Sequence, residues 1–330
     1  MTRRTALEPL TGLVVDRDSE HRTRPELFDE LLADPTTRLL TLWHGRALMT
    51  DASATALELI APESQTAALQ RVYLGRVIQE VPGVPAGTAV IAVTLTDAAA
   101  GELEPDEGRW AGLRAVGVDL TETEQALFTE AVAIMNWHES HTHCPRCGTP
   151  TVVESGGWVR RCFVDGTEIF PRTDPAIIVR VLDDQDRILL GSNAMWETNR
   201  WSILAGFVEP GEPFEEAVIR EVREEAGVVC AAPRYLGSQP WPFPASVMIG
   251  FEARAVAQGE VPVTPDGQEI LEVRWFSREE LWAEHEDLKL PFSASIAHAI
   301  ITEWYGGPLD AAPPARSQPS SARAGESAGR

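Results

Sequence analysis

The chain is poor in cations. Against 50 aspartates and glutamates it has 28 lysines and arginines, and Lys289 is the one lysine among them. The resulting net charge of −22 excludes a basic nucleic-acid-binding surface as the general theme, although a local arginine patch remains compatible with it. Long apolar runs are also missing. None approaches the roughly 20 residues of a membrane-spanning helix, so no membrane association is expected. Residues Met1 to Leu10 carry charge but no apolar core, which argues against a secretory signal and for a cytoplasmic protein. Four cysteines in 330 residues are too few for a disulfide framework. Much of the acid excess serves solubility, but it also suits carboxylates gathered around metal ions.

What is present fits a soluble chain of about two domains of ordinary size. The expected class is α+β, in four parts. Residues 1–135 hold strand-like runs, such as Leu39–Trp43 and Ala89–Val93, separated by Pro/Gly punctuation like Val81-Pro82-Gly83. They end in a helical stretch from Thr121 to about His138. There Thr121 and Glu124 have capping-box spacing, and Ala126, Leu127, Ala131, Ile134 and Met135 recur at helical intervals. No catalytic constellation is visible in this part, and an α+β domain with a structural or dimerising role is expected. Residues 307–330 are rich in Pro, Ala, Ser, Gly and Arg and read as a disordered tail.

Residues 136–172 are organised around Cys144-Pro145-Arg146-Cys147-Gly148. Two thiolates at this spacing can grip one tetrahedral ion. Cys162 follows at a plausible ribbon distance, but Asp165 stands where a second C-x2-C would close. Asp165, His141 or His143 is the candidate fourth ligand. Cys230 lies in an apolar stretch and reads as a core residue.

Residues 173–306 are the most informative. Ile177–Leu182 and Ile188–Leu190 read as buried strands around the turn Asp183-Asp184-Gln185-Asp186, and Trp201–Leu204 as a third strand. Between Pro213 and Gly227 the sequence predicts a helix of about 14 residues. Unrolled at about 100° per residue, Glu221, Glu224 and Glu225 share one arc, while Val218, Ile219, Val222 and Ala226 share the next. Glu221 and Glu225 repel at i,i+4, and a divalent cation would relieve that repulsion. Carboxylate oxygens suit Mg²⁺ or Mn²⁺. Further on, Gly237-Ser238-Gln239-Pro240-Trp241-Pro242-Phe243-Pro244-Ala245-Ser246 has prolines at alternate positions. This excludes a central strand and predicts a stiff loop presenting Trp241 and Phe243.

The segment Gly206–Val228 resembles the Nudix box, G-x5-E-x7-R-E-U-x-E-E-x-G-U. All its fixed positions are present: Gly206, Glu212, Arg220, Glu221, Val222, Glu224, Glu225, Gly227 and Val228. The segment SQPWPFPAS from Ser238 to Ser246 resembles the signature of the NADH pyrophosphatase family within that superfamily, which also carries a zinc ribbon just before its Nudix domain. The resemblance implies a C-terminal Nudix α/β/α sandwich preceded by a zinc-ribbon-like insert and an N-terminal α+β domain. It implies hydrolysis of the diphosphate of NADH or NAD to (reduced) NMN and AMP, with removal of NAD caps from RNA 5′ ends as the same bond on a larger substrate. ADP-ribose hydrolysis and silent dinucleotide sensing are the alternatives.

Carried over by position, the resemblance makes Arg220, Glu221, Glu224 and Glu225 catalytic candidates. Ala205, Glu221, Glu224, Glu225 and Glu269 become ligands of two or three Mg²⁺ or Mn²⁺ ions. Phe170, Phe207, Gln239, Pro240, Trp241, Pro242, Phe243, Pro244, Ala245, Ser246 and Ala297 become substrate-binding candidates. A structural Zn²⁺ would lie on Cys144, Cys147 and Cys162, with Asp165 replacing the family's fourth cysteine. Phe170 replaces a tyrosine that stacks on a base, keeping the ring face and losing the hydroxyl. The family implies a homodimer.

Overall fold

The computed structural model describes residues 13–53, 55–64, 68–256 and 259–313. Three sheets follow one another along the chain. The first is built from Val15–Asp16 (β1), Arg38–Trp43 (β2), Arg46–Leu48 (β3), Leu59–Ile60 (β4), Ala68–Val77 (β5), Ala89–Leu95 (β6) and Trp110–Gly112 (β7). Its order is β1-β5-β6-β2-β3-β7, with β4 also on β2 and with β2 and β6 parallel. Helices Leu27–Ala33 (α1) and Asp97–Leu103 (α2) cover one face, packing on Leu39, Tyr73 and Ile91. The short helix Leu113–Val116 (α3) leads into Glu122–Ser140 (α4), which covers the other face with Leu127, Phe128, Ala131, Ile134 and Met135. As the sequence predicts, α4 opens on a capping box between Thr121 and Glu124. The Glu124 carboxylate also accepts from the Leu57 backbone N–H, fastening the helix to the sheet.

The second sheet is small: Val152–Glu154 (β8), Val159–Arg161 (β9) and Glu168–Ile169 (β10). It docks on the first domain through a polar knot. The Trp158 indole donates to the Tyr73 carbonyl, and the buried Arg160 donates to His138 Nδ1. His138 Nε2 donates in turn to the Gly157 carbonyl, and burial lowers the His138 pKa to about 4, so the ring is a neutral linker.

The third sheet contains Asp174–Leu182 (β11), Ile188–Asn193 (β12), Leu204–Phe207 (β13), Cys230–Trp241 (β14), Ser246–Ala255 (β15) and Ile270–Phe276 (β16). Its order is β14-β15-β11-β12-β16, with β13 also on β11 and with β11 and β15 parallel. Alternation along β11 builds two cores. Ile177, Val179 and Val181 meet helix Phe214–Ala226 (α5), while Ile178 and Leu182 meet helix Ile296–Tyr305 (α7). Helix Arg278–Ala283 (α6) adds Leu281 to the second core. This is the expected helix–sheet–helix sandwich. No described helix is long and apolar enough to cross a membrane.

Four sequence expectations need correction. The third strand of this domain is Leu204–Phe207, and Ser202 makes only an isolated bridge to Gly191. The buried arc of α5 takes in Glu225, whereas Ile219 is solvent-facing. The proline-rich segment is a stiff loop only over 242–245. Gln239, Pro240 and Trp241 continue β14 and pair with Met248, Val247 and Ser246. Proline is tolerated there because β14 is an edge strand. Finally, the start of the expected disordered tail is packed: Leu309 joins the core, and the Tyr305 hydroxyl donates to the Ala311 carbonyl. Residues 314–330 lie outside those described.

Candidate active site

Helix α5 is flanked by the cap residues Pro213 and Gly227, and the left-handed φ of 68° at the latter suits glycine. Its apolar side, Ala217, Val218, Val222 and Ala226, is fully buried under β11 and β13. This docking fixes the direction of the carboxylates. Glu221 is pressed against the β13 backbone at Gly206: a Cβ at 206 would lie 2.0 Å from the Glu221 carboxyl carbon. Glycine admits Glu221 in this pose through close approach, not through its own dihedral angles.

Arg220 ties the cluster together. Its Nε and Nη2 donate to the two Glu212 oxygens at 2.7 and 2.8 Å, and Nη2 also donates to the Phe207 carbonyl. Nη1 donates to Glu221 Oε1 at 2.8 Å and to Glu224 Oε2 at 3.1 Å. The fork therefore joins the strand end, the turn and two helix carboxylates, and Arg220 holds the Glu212 carboxyl below the usual range. Glu212 belongs to the motif, but no task for it follows from spacing alone.

Glu225 has no such partner. It is only 4% exposed, and its Oε2 is buried without a hydrogen-bond partner. Burial first, then the charges of Glu221, Glu269, Asp266 and Glu224, push its pKa up to about 8. Burial likewise raises Glu221. A buried oxygen facing four other acids, in an all-oxygen donor set, fits hard divalent cations. Asp266 was not singled out from sequence. It caps the turn before β16, accepting from the Gln268, Glu269 and Ile270 backbone N–H groups, and so positions Glu269. Its only sequence signal is the turn dipeptide Asp266-Gly267. Ala205 pairs with Ile178, one residue before the Glu221 cradle.

The aromatic segment lies at the same end of the sheet. Ala176 of β11 pairs with Phe207 on one side and Met248 on the other, two residues beyond Ser246. At roughly 4.8 Å per ladder step, the acid cluster and the turn are about two strands apart. Trp241 and Phe243 meet edge to face at 5.1 Å, and Trp241 stacks on Phe292 at 5.8 Å. From the N-terminal domain, Arg114 sits 4.0 Å from the Phe243 ring centroid. The Gln239 amide accepts from Ile296 N–H and donates to the Ala294 carbonyl, anchoring β14 to the start of α7 beside the buried Ala297. Pro242 is buried and Pro244 exposed. Phe170 and Phe207 are exposed and make no ring contact with Trp241 or Phe243 among the described residues. Arg114 and Phe292 were missed because a lone arginine and a lone phenylalanine form no pattern.

In the ribbon, the ligand atoms of Cys144, Cys147, Cys162 and Asp165 lie within 4.8 Å of one another. The two turns repeat each other: Gly148 N–H donates to the Cys144 carbonyl and Gly166 N–H to that of Cys162, both at 2.9 Å. Asp165 thus occupies the fourth corner. His141 and His143 instead bond Ser140 and Thr142. Three thiolates and a carboxylate suit zinc.

Comparison with known proteins agrees with this layout. Residues 36–137 match the model of an NADH pyrophosphatase-like rudimentary NUDIX domain, 139–170 that of an NADH pyrophosphatase zinc ribbon domain, and 171–299 that of a NUDIX domain. The NAD-capped RNA hydrolase NudC of Mycobacterium bovis (strain BCG / Pasteur 1173P2) is 44% identical over 202 residues, 58% of this chain and 64% of that protein. The human NAD-capped RNA hydrolase NUDT12 is 37% identical over 57% of this chain and 43% of its own length. The match thus spans less than two thirds of either relative. A NUDIX hydrolase structure from Nitrosomonas europaea is similar with a TM-score of 0.40 and 21% identity, covering 51% of this chain and 94% of that one. With an intact box on α5, the chain carries a NUDIX domain over residues 171–299, preceded in order by the rudimentary NUDIX and zinc ribbon modules described for NADH pyrophosphatases.

Proposed function

We propose that this chain hydrolyses the diphosphate bond of NADH or NAD to (reduced) NMN and AMP, and removes NAD caps from RNA 5′ ends. One observation carries the reading: the Glu221 cradle at Gly206 and the Trp241–Phe243 turn lie toward the same end of β11, and one turn along α5 the buried Oε2 of Glu225 has no hydrogen-bond partner. Glu221, Glu224, Glu225, Glu269 and the Ala205 carbonyl would hold two or three Mg²⁺ or Mn²⁺ ions. Such ions, when bound, neutralise phosphoryl oxygens and lower the pKa of a bound water.

The side chains do the rest. Glu225 Oε2 takes the proton of the attacking water. Arg220 keeps Glu221 and Glu224 in place. Trp241 and Phe243 offer ring faces to a base of the dinucleotide, with Arg114 backing Phe243 and with Phe170 and Phe207 as further exposed faces. Cys144, Cys147, Cys162 and Asp165 hold a structural zinc, which metal analysis should find at one ion per chain. The protein acts in the cytoplasm as a homodimer, in keeping with the family resemblance.

The test is to incubate the chain with NADH and Mg²⁺ or Mn²⁺ and separate the products. Reduced NMN plus AMP supports the reading. Cleavage of ADP-ribose without cleavage of NADH overturns the substrate. Binding without cleavage of any dinucleotide leaves a sensor.

A further inference from the structure

The turn that carries Phe243 is short of backbone donors of its own. Pro242 and Pro244 have no N–H, so its carbonyls need donors from elsewhere. Phe243 N–H donates to the Trp241 carbonyl at 2.7 Å, and Asp174 N–H donates to that of Ala245 at 2.8 Å. Two of the other carbonyls, of Pro242 and Pro244, both accept from Asn136 Nδ2 at 3.0 Å. Because both partners are acceptors, the amide nitrogen must be the atom that faces them. Asn136 belongs to α4, the long helix of the N-terminal domain.

Behind the turn lies a cleft of about 540 Å³ lined by Asn136, Arg172, Asp174, Pro244 and Ala245. The turn therefore has room to shift if its donor is removed. On the other side, Trp241 is fixed by its stack on Phe292, and Gln239 anchors the strand that leads into the turn. Asn136 is the one side-chain donor that reaches this turn from another domain among the described residues.

We propose that Asn136 is a positioning residue for substrate recognition: its single amide group sets the Pro242–Ala245 turn, and with it the angle of the Phe243 ring toward a dinucleotide base. This rests on the proposed dinucleotide hydrolysis. It assigns the N-terminal domain a share in specificity without a share in the chemistry.

The experiment compares kcat and KM for NADH in the full chain, Asn136→Ala and Asn136→Asp, with thermal unfolding of each. Asp keeps the size of Asn but presents acceptors to two carbonyl oxygens. The expected result is a KM raised about ten-fold in Asn136→Ala, the scale of two lost neutral hydrogen bonds, and raised further in Asn136→Asp. kcat should stay within about two-fold, because the acid cluster is untouched. A role in packing alone would reverse the order, with Asp close to the parent and Ala worse; that result overturns the proposal. So does a KM within about two-fold of the parent in a folded Asn136→Asp. If the unsubstituted chain fails to cleave NADH, the dinucleotide reading itself falls, an outcome distinct from unchanged kinetics in the variants.

Discussion

The first and third sheets are laid out alike, yet among the described residues only the third bears a helix carrying the glutamates of the box. Leaving aside β1, the order β5-β6-β2-β3-β7 repeats as β14-β15-β11-β12-β16. In both, the short third strand of the set adds to the first, β4 on β2 and β13 on β11. The parallel pairs β2/β6 and β11/β15 also correspond. The sheets diverge at one connection. Residues 208–229 between β13 and β14 include α5, whereas β4 and β5 are joined by residues 61–67 alone. Seven residues cannot hold a helix of 13, which is about 20 Å long. The shared scaffold does not by itself place the glutamates of the box; one longer connection does.

Each half also buries a glutamate on a long helix. Glu130 of α4 is pushed up to about 7 by burial, but Arg17 pairs with it at 2.9 Å, and Arg17 and Arg22 both pull its pKa back down. Glu225 is surrounded by acids. The first is compensated within the fold, and the second is left among other acids.

The sharpest test of that contrast is Glu225→Gln. Turnover of NADH should fall about 10²–10⁴-fold, while thermal unfolding of the metal-free variant should be no lower than that of the parent, since a buried acid among acids is gone. Next comes Gly206→Ala. Its Cβ would displace Glu221, and turnover should fall on the order of 10²-fold with the fold intact; near-parental activity would mean that the Glu221 position is not used. The smallest effect belongs to Glu130→Gln. A carboxylate whose pKa is raised on folding contributes stability at low pH and loses it as pH rises, here between about 4.5 and about 7. Urea unfolding at pH 5 and pH 8 should therefore show a parental loss on the order of 2 kcal/mol that the variant lacks, with activity unchanged. An equal pH dependence in both would remove the contrast.

The acid cluster was legible because its parts lie in 23 contiguous residues with helical spacing. Its rotation was not. Spacing shows which residues share an arc but not which arc meets the sheet, and so Ile219 was expected inside where Glu225 lies. Glu269 and Ala297, far along the chain, were reached only through family resemblance. The likeness of the two sheets stayed hidden because the N-terminal one lacks the box, and ladders such as Leu40 with Ala92 join distant segments. Asn136 was invisible for a different reason: its partners are backbone carbonyls, which leave no side-chain signature.

The cradle at Gly206 has one more consequence. Glycine is the only amino acid without a Cβ, so no intermediate replacement exists between it and an obstruction of Glu221. Elsewhere on the strand a side chain can be trimmed or enlarged by degrees; at 206 the smallest possible substitution already has to move the Glu221 carboxylate.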